Sequence, residues 1–184
     1  MYVWHIENMN LKTAILQEHS KKQTQKIVSY IGGDKEKFAT LMQLFFQDES
    51  LVIQRSAWVI SNCCDKNPKL ILPYLDVVIS YLSKPNIPDA AKRNFLRVLQ
   101  FTEVPEELMG KLISVCFSFF ENQKEAIAIR VFSMSVLANA AIKYPDLKIE
   151  LIALIELEFE QEKIKPAMAS RGKKVLKILS QKKS

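Results

Sequence analysis

The chain has 184 residues with only 4 Gly and 7 Pro, 48% hydrophobic and 25% charged residues. That length builds one core of ordinary size, and so few glycines leave little for phosphate-cradling loops, tight turns or closed sheets. The net charge of +6 points towards an acidic partner, and a composition this apolar excludes disorder.

From the N-terminus, MYVWHIENMNLK lacks the apolar stretch of a signal peptide. No run approaches the roughly 20 residues that span a bilayer. Three cysteines, two of them adjacent (Cys63, Cys64), form no disulfide framework. The expectation is a soluble, cytoplasmic protein without membrane contact. Residues 10–31 read as two short helices, with Asn10 and Ser20 as N-caps and Gly32-Gly33 closing the second; Asp34 caps the next.

An internal period follows. Pro68, Pro105 and Pro145 stand at helix starts 37 and 40 residues apart, where a missing N–H costs nothing. Between them the apolar residues recur at helical spacing in two blocks per period. First helices are predicted at 34–47, 68–84, 105–121 and 145–163, and their partners at 50–64, 88–102, 124–142 and 166–181. Pro73 falls inside the second of the first helices and predicts a kink or late start there. The short links Asp48-Glu49-Ser50, Pro85-Asn86-Ile87, Asn122-Gln123 and Ile164-Lys165 make the neighbours antiparallel. The organisation expected is one domain over 1–184: a helical cap over 1–33 and four hairpins over 34–181.

The segment NPKLILPYLDVVISYL, followed by second helices with an Arg and an apolar stripe (IQRSAWVISN, AAKRNFLRVLQ, AIRVFSMSVLAN), resembles the HEAT-like and armadillo-like repeat superfamily. The resemblance covers about residues 34–181. It implies an all-α fold, an α-α superhelix, and says little about activity. The short period favours two-helix HEAT repeats over armadillo. The family's Asp four residues before the repeat Arg is not kept.

In such folds the second helices line the concave side. Helical wheels put Ile53, Ala57, Ile60 and Cys64 on the core side of one, and Ala91, Phe95, Val98 and Leu99 on that of the next. Carried forward at a repeat step of 37–43 residues, the opposite side reads Arg55–Val59–Asn62, Arg93–Arg97–Gln100, Arg130–Met134–Leu137 and Lys173–Lys177–Ser180. No acid interrupts it. The like-charged i,i+4 pairs Arg93/Arg97 and Lys173/Lys177, unfavourable in an isolated helix, are the preferred binding residues, whereas Arg171 reads as structural. The third second-helix has a core face of Ile129, Phe132 and Val136 and is apolar nearly all round, which reads either as a central helix buried on every side or as an apolar floor for a partner helix or a dimer contact. The acids of 145–163 read as an outer face. From Ile164 onward seven bases and no acid make a C-terminal basic patch.

Catalytic constellations are not found. The only histidines, His5 and His19, are both N-terminal, and Cys63 and Cys64 diverge by about 100° on a helix, with no CxxC or HxxxH pair to complete a metal site. No cofactor or metal is expected. The reading is a non-catalytic scaffold that binds protein through its concave face. The alternative is nucleic-acid binding along the basic track, without sequence readout. A remoter one is suggested by helical-repeat alkylpurine DNA glycosylases, which this chain resembles in fold; Trp58, Asn62 and Arg97 would line such a cleft. The carboxylate is missing there, because Asn62 stands where an Asp is wanted, and Trp58 reads as core.

Overall fold

The N-terminal helices form where side chains satisfy their free amides. In a computed structural model that describes residues 9–47 and 49–181, Asn10 Oδ1 accepts from the Thr13 amide at 2.9 Å and Ser20 Oγ from that of Gln23 at 3.1 Å. These caps start α1 (Leu11–Gln17) and α2 (Lys21–Ile31). Gly32, at φ +55°, ends α2 by donating its amide to Val28 O, a backbone conformation a side chain would strain. Asp34 Oδ1 then accepts from the amides of Glu36 and Lys37 and starts α3 (Lys35–Gln47). All four expected caps and stops are present. His5, Asp48, Lys182 and Lys183 lie outside the described residues.

After α4 (Ser50–Lys66), the predicted helix 68–84 is divided. Pro68–Tyr74 winds as a 3-10 helix containing Pro73, and α5 (Leu75–Leu82) starts after it. Proline has no N–H to donate and clashes with the preceding turn, so the late start follows from Pro73. Leu70 and Ile71 of the 3-10 helix are nevertheless buried. Asn86, at φ +58°, makes the left-handed turn into α6 (Asp89–Leu99), a conformation asparagine tolerates better than most residues. Then come α7 (Glu106–Glu121), α8 (Ile127–Lys143), α9 (Leu147–Phe159) and α10 (Pro166–Ser180). Pro105 precedes α7 and Pro166 opens α10, as first-turn prolines should.

The described chain groups into two compact units, one within Met1–Pro73 and one within Tyr74–Ser184. In the first, α4 packs on α1, α2 and α3, around Phe38, Leu41, Phe45, Ala57, Ile60 and Cys63, each at most 1% exposed. In the second, α8 is central and packs on α6, α7, α9 and α10. Ile129, Met134, Leu137 and Ala141 are at most 1% exposed, so α8 is buried on nearly every side, as its all-round apolar character predicts.

Within each unit the second helices are joined by asparagines that satisfy the exposed end of the preceding second helix. Asn67 Nδ2 donates to Gly32 O at 2.9 Å at the end of α2, and Asn139 Nδ2 to Gln100 O at 2.7 Å at the end of α6. Each supplies a donor to a helix-terminal carbonyl that the helix itself leaves free.

Candidate functional site

The Met1–Pro73 unit uses its predicted site residues internally. Arg55 is half-buried, and its Nη1 donates to the carbonyls of Ile15 (3.1 Å) and Leu16 (2.8 Å). It thereby closes the C-terminal end of α1. Asn62 donates to Trp58 O at 2.8 Å, and its Oδ1 accepts from Gln25 Nε2 at 3.4 Å. Val59, expected outward, is 3% exposed and belongs to the core. Trp58, expected in the core, is half-exposed, with its ring edge-on to His19 at 5.1 Å.

In the Tyr74–Ser184 unit the phase of α8 differs from the wheel. Arg130, expected on the binding surface, is 5% exposed, and Met134 and Leu137 are 0% and 1% exposed. Arg130 Nε donates to Phe120 O at 2.8 Å, Nη1 to Gln123 Oε1 at 2.9 Å, and Nη2 pairs with Glu158 Oε1. Glu158, assigned to the outer acidic face, is itself buried in α9 and also accepts from Gln123. Asp146, Glu150, Glu156, Glu160 and Glu162 are exposed as expected. The wheel fails on α8 because a helix apolar all round has almost no amphipathic direction to orient it. The basic track inferred from sequence therefore loses its middle cation.

The solvent-facing stripe of α8 is instead Ala128, Phe132, Asn139 and Ile142, with Ser135, 7% exposed, buried between Phe132 and Asn139 on the same face. Ala128 and Phe132 are half-exposed, and Asn139 and Ile142 exposed. Phe132, expected on the core face, lies on this stripe. Neighbouring helices extend it. Lys92 Nζ meets Glu125 Oε1 at 2.5 Å near the starts of α6 and α8, and Asn139 holds Gln100 near their ends, so the two helices run parallel. Arg171 Nη1 donates to Ser135 Oγ at 2.8 Å and lies 3.4 Å from Gln100 Oε1. That 36-residue step between α8 and α10 carries Ile142 to Ile178.

Together these residues make one face: Arg93, Arg97 and Phe101 from α6 and its end; Phe132, Ser135, Asn139 and Ile142 from α8; Arg171, Lys174 and Ile178 from α10. Phe101 is 79% exposed, and Ile142 and Ile178 are 41% and 45% exposed. Arg93 and Lys174 are exposed, and Arg97 and Arg171 half-buried. Gln100, predicted here, is 7% exposed and serves as the joint, its Nε2 donating to Arg97 O. Lys173 and Lys177 are exposed as expected, one step round α10 from Lys174 and Ile178.

Charge on these helices is one-sided. Neither α8 nor α10 contains an acid, and α6 has only Asp89 at its start, against nine Lys and Arg in the three. At the C-terminal end of the stripe a cavity of about 220 Å³ opens between the ends of α6 and α8 and the start of α7. Leu99, Val104, Met109 and Leu112 form much of its wall, with Thr102 and Asn139 also lining it.

Sequence reasoning missed Phe101, Phe132, Asn139, Ile142, Lys174 and Ile178, and took Arg171 as purely structural. The signal was Asn139. It is the one amide in α8 and is exposed, so it marks the outward phase.

Among the described residues no three His, Cys, Asp or Glu side chains gather as metal ligands, and no helix is long and apolar enough to cross a membrane. Burial raises the thiol of Cys63 to about 12 and raises that of Cys116 as well, which leaves both as protonated apolar groups. A family model of the HEAT repeat domain matches residues 11–179. No curated protein and no solved structure matches the chain.

Proposed function

The chain belongs to the HEAT repeat family, an all-α solenoid class of repeat scaffolds, and from that premise we propose that it is a non-catalytic module that binds a protein partner along the α6–α8–α10 face. One observation carries this reading. A surface whose three helices contain one acid, Asp89 at the start of α6, sets cations (Arg93, Arg97, Arg171, Lys174) beside exposed apolar side chains (Phe101, Ile142, Ile178) and the half-exposed Phe132. Exposed apolar groups grouped within a polar rim mark interaction surfaces. A nucleic-acid backbone would call for cations across the whole face. Here the middle helix offers Phe132, Asn139 and Ile142, while Arg130 is committed to Glu158.

The test is to pan a displayed peptide library on the full chain at near-physiological salt and to map selected peptides by hydrogen exchange. Protection over 93–101, 132–142 and 171–178, with binding weakened in Ile142→Glu, supports the reading. Protection confined to other segments overturns it.

A further inference from the structure

We propose that the partner segment is acidic and carries one bulky aliphatic or aromatic residue, which anchors in the cavity at the end of the α8 stripe. The inference rests on the reading of this face as protein-binding and names the chemistry of its ligand.

Charge complementarity selects an acidic segment. Arg93 and Lys174 flank the stripe from opposite sides, and Arg171 stands between them at the joint with Ser135. The acids nearest the face are few: Glu125 is paired with Lys92, Glu106 with Lys143 of the cavity lining, and Glu103 lines the cavity itself. Such a surface attracts carboxylates and repels basic segments, which sets partner choice and association rate more than affinity.

The cavity supplies affinity. Its volume of about 220 Å³ is below the usual range of roughly 300–1,000 Å³ for small-molecule sites, so it suits a single side chain. Leu99, Val104, Met109, Leu112, Val136 and Ala140 give it an apolar wall, and methionine adapts to the shape of its guest. Asn139 belongs both to the stripe and to the cavity lining. A chain lying along Phe132 and Ile142 therefore passes the cavity at Asn139. Buried anchors of this kind carry most of the energy of an interface.

The probe is a fluorescein-labelled peptide of glutamates and aspartates around a single central leucine, measured by anisotropy against the full chain. It is compared with an alanine-for-leucine version, a lysine-for-glutamate version and duplex DNA, at low and near-physiological salt. The expected result is binding of the acidic leucine peptide alone. Arg93→Glu/Lys174→Glu weakens it by about tenfold or more, as does Thr102→Phe, which plugs the cavity. Alanine for leucine loses on the order of 10-fold to 100-fold. Unchanged melting temperatures in the variants show that the fold is intact.

Binding that is indifferent to the leucine overturns the anchor. If this peptide fails while library-selected peptides of another composition bind the same face, the acidic partner is wrong and the protein-binding reading stands. If no peptide binds and duplex DNA does, with a steep salt dependence abolished by Arg93→Glu/Lys174→Glu, both fall in favour of nucleic acid.

Discussion

Arg130 and Glu158, 28 residues apart on α8 and α9, form an ion pair almost closed off from water, their side chains 6% and 7% exposed. The geometry satisfies the guanidinium with Phe120 O and Gln123 as well, so removing one partner strands the other. Glu158→Gln and Arg130→Met are each expected to cost about 3–5 kcal/mol, whereas Arg130→Met/Glu158→Leu recovers much of that. Urea unfolding of the four proteins tests this. Single variants within about 1 kcal/mol of the parent would mean that water reaches the pair.

Two glycines in helices have opposite surroundings. A Cβ on Gly172 would come within 3.0 Å of Phe159 Cζ and 3.2 Å of Ile155 Cγ2, whereas one on Gly110 meets nothing within 4 Å. Gly172→Ala is expected to destabilise by about 1–3 kcal/mol through overpacking between α9 and α10. Gly110→Ala, mid-helix in α7, is expected to stabilise by roughly 0.5–1 kcal/mol. Thermal melts that order them the other way would refute the packing at Gly172.

Asn139→Ala removes the donor to Gln100 O and is expected to cost about 1 kcal/mol. Hydrogen exchange should accelerate first at the end of α6, because its terminal carbonyl loses its partner. Asn67→Ala should do the same for the end of α2. Uniform acceleration across the chain would show that the asparagines act through global stability alone.

The expected caps were legible in the sequence because each depends on a few adjacent residues: Asn10, Ser20 and Asp34 sit where their oxygens reach amides two or three positions on. The break at Pro73 was equally local. The binding face was less so. On α6, polar Arg93 opposes apolar Phe95 and Leu99, and the wheel held. On α8 the phase depends on which neighbours cover which side, information carried by Glu158 and Arg171 from distant helices. Arg130 looked like a surface arginine until its acceptors arrived from α7 and α9. Gln100 was placed on the right side of α6 but buried by Arg171 and Asn139.

Cys63 and Cys116, whose thiols burial raises, should resist Ellman's reagent at pH 8 in the native protein. The expected outcome is labelling at the rate of unfolding, fast only in denaturant. Prompt stoichiometric labelling of either in native buffer would contradict its burial.

Glu106 accepts from Lys143 and Tyr144, which lower its carboxyl below the usual range, and the Lys37 amide does the same for Asp34. A depressed carboxylate stabilises the fold above its unfolded pKa and loses that contribution as pH falls through the lower folded value. Stability should thus fall on acidification below about pH 4.3, and Glu106→Gln/Asp34→Asn should flatten that limb. The Glu106 contact raises Lys143 and Tyr144, so their share is lost in the alkaline range. An acid limb unchanged in the double variant would rule these groups out.

The position of α8 at the centre of its unit also has a meaning in time. It is made before the two helices, α9 and α10, that finish covering it. At roughly 5–20 residues per second, synthesis from Lys143 to the end of α10 at Ser180 takes about 2–7 s. Through that interval the nascent chain carries an apolar helix with only its α6 and α7 sides met. Truncation after Lys143, or a ribosomal pause over α9, would prolong that exposure and make the chain a substrate for chaperones.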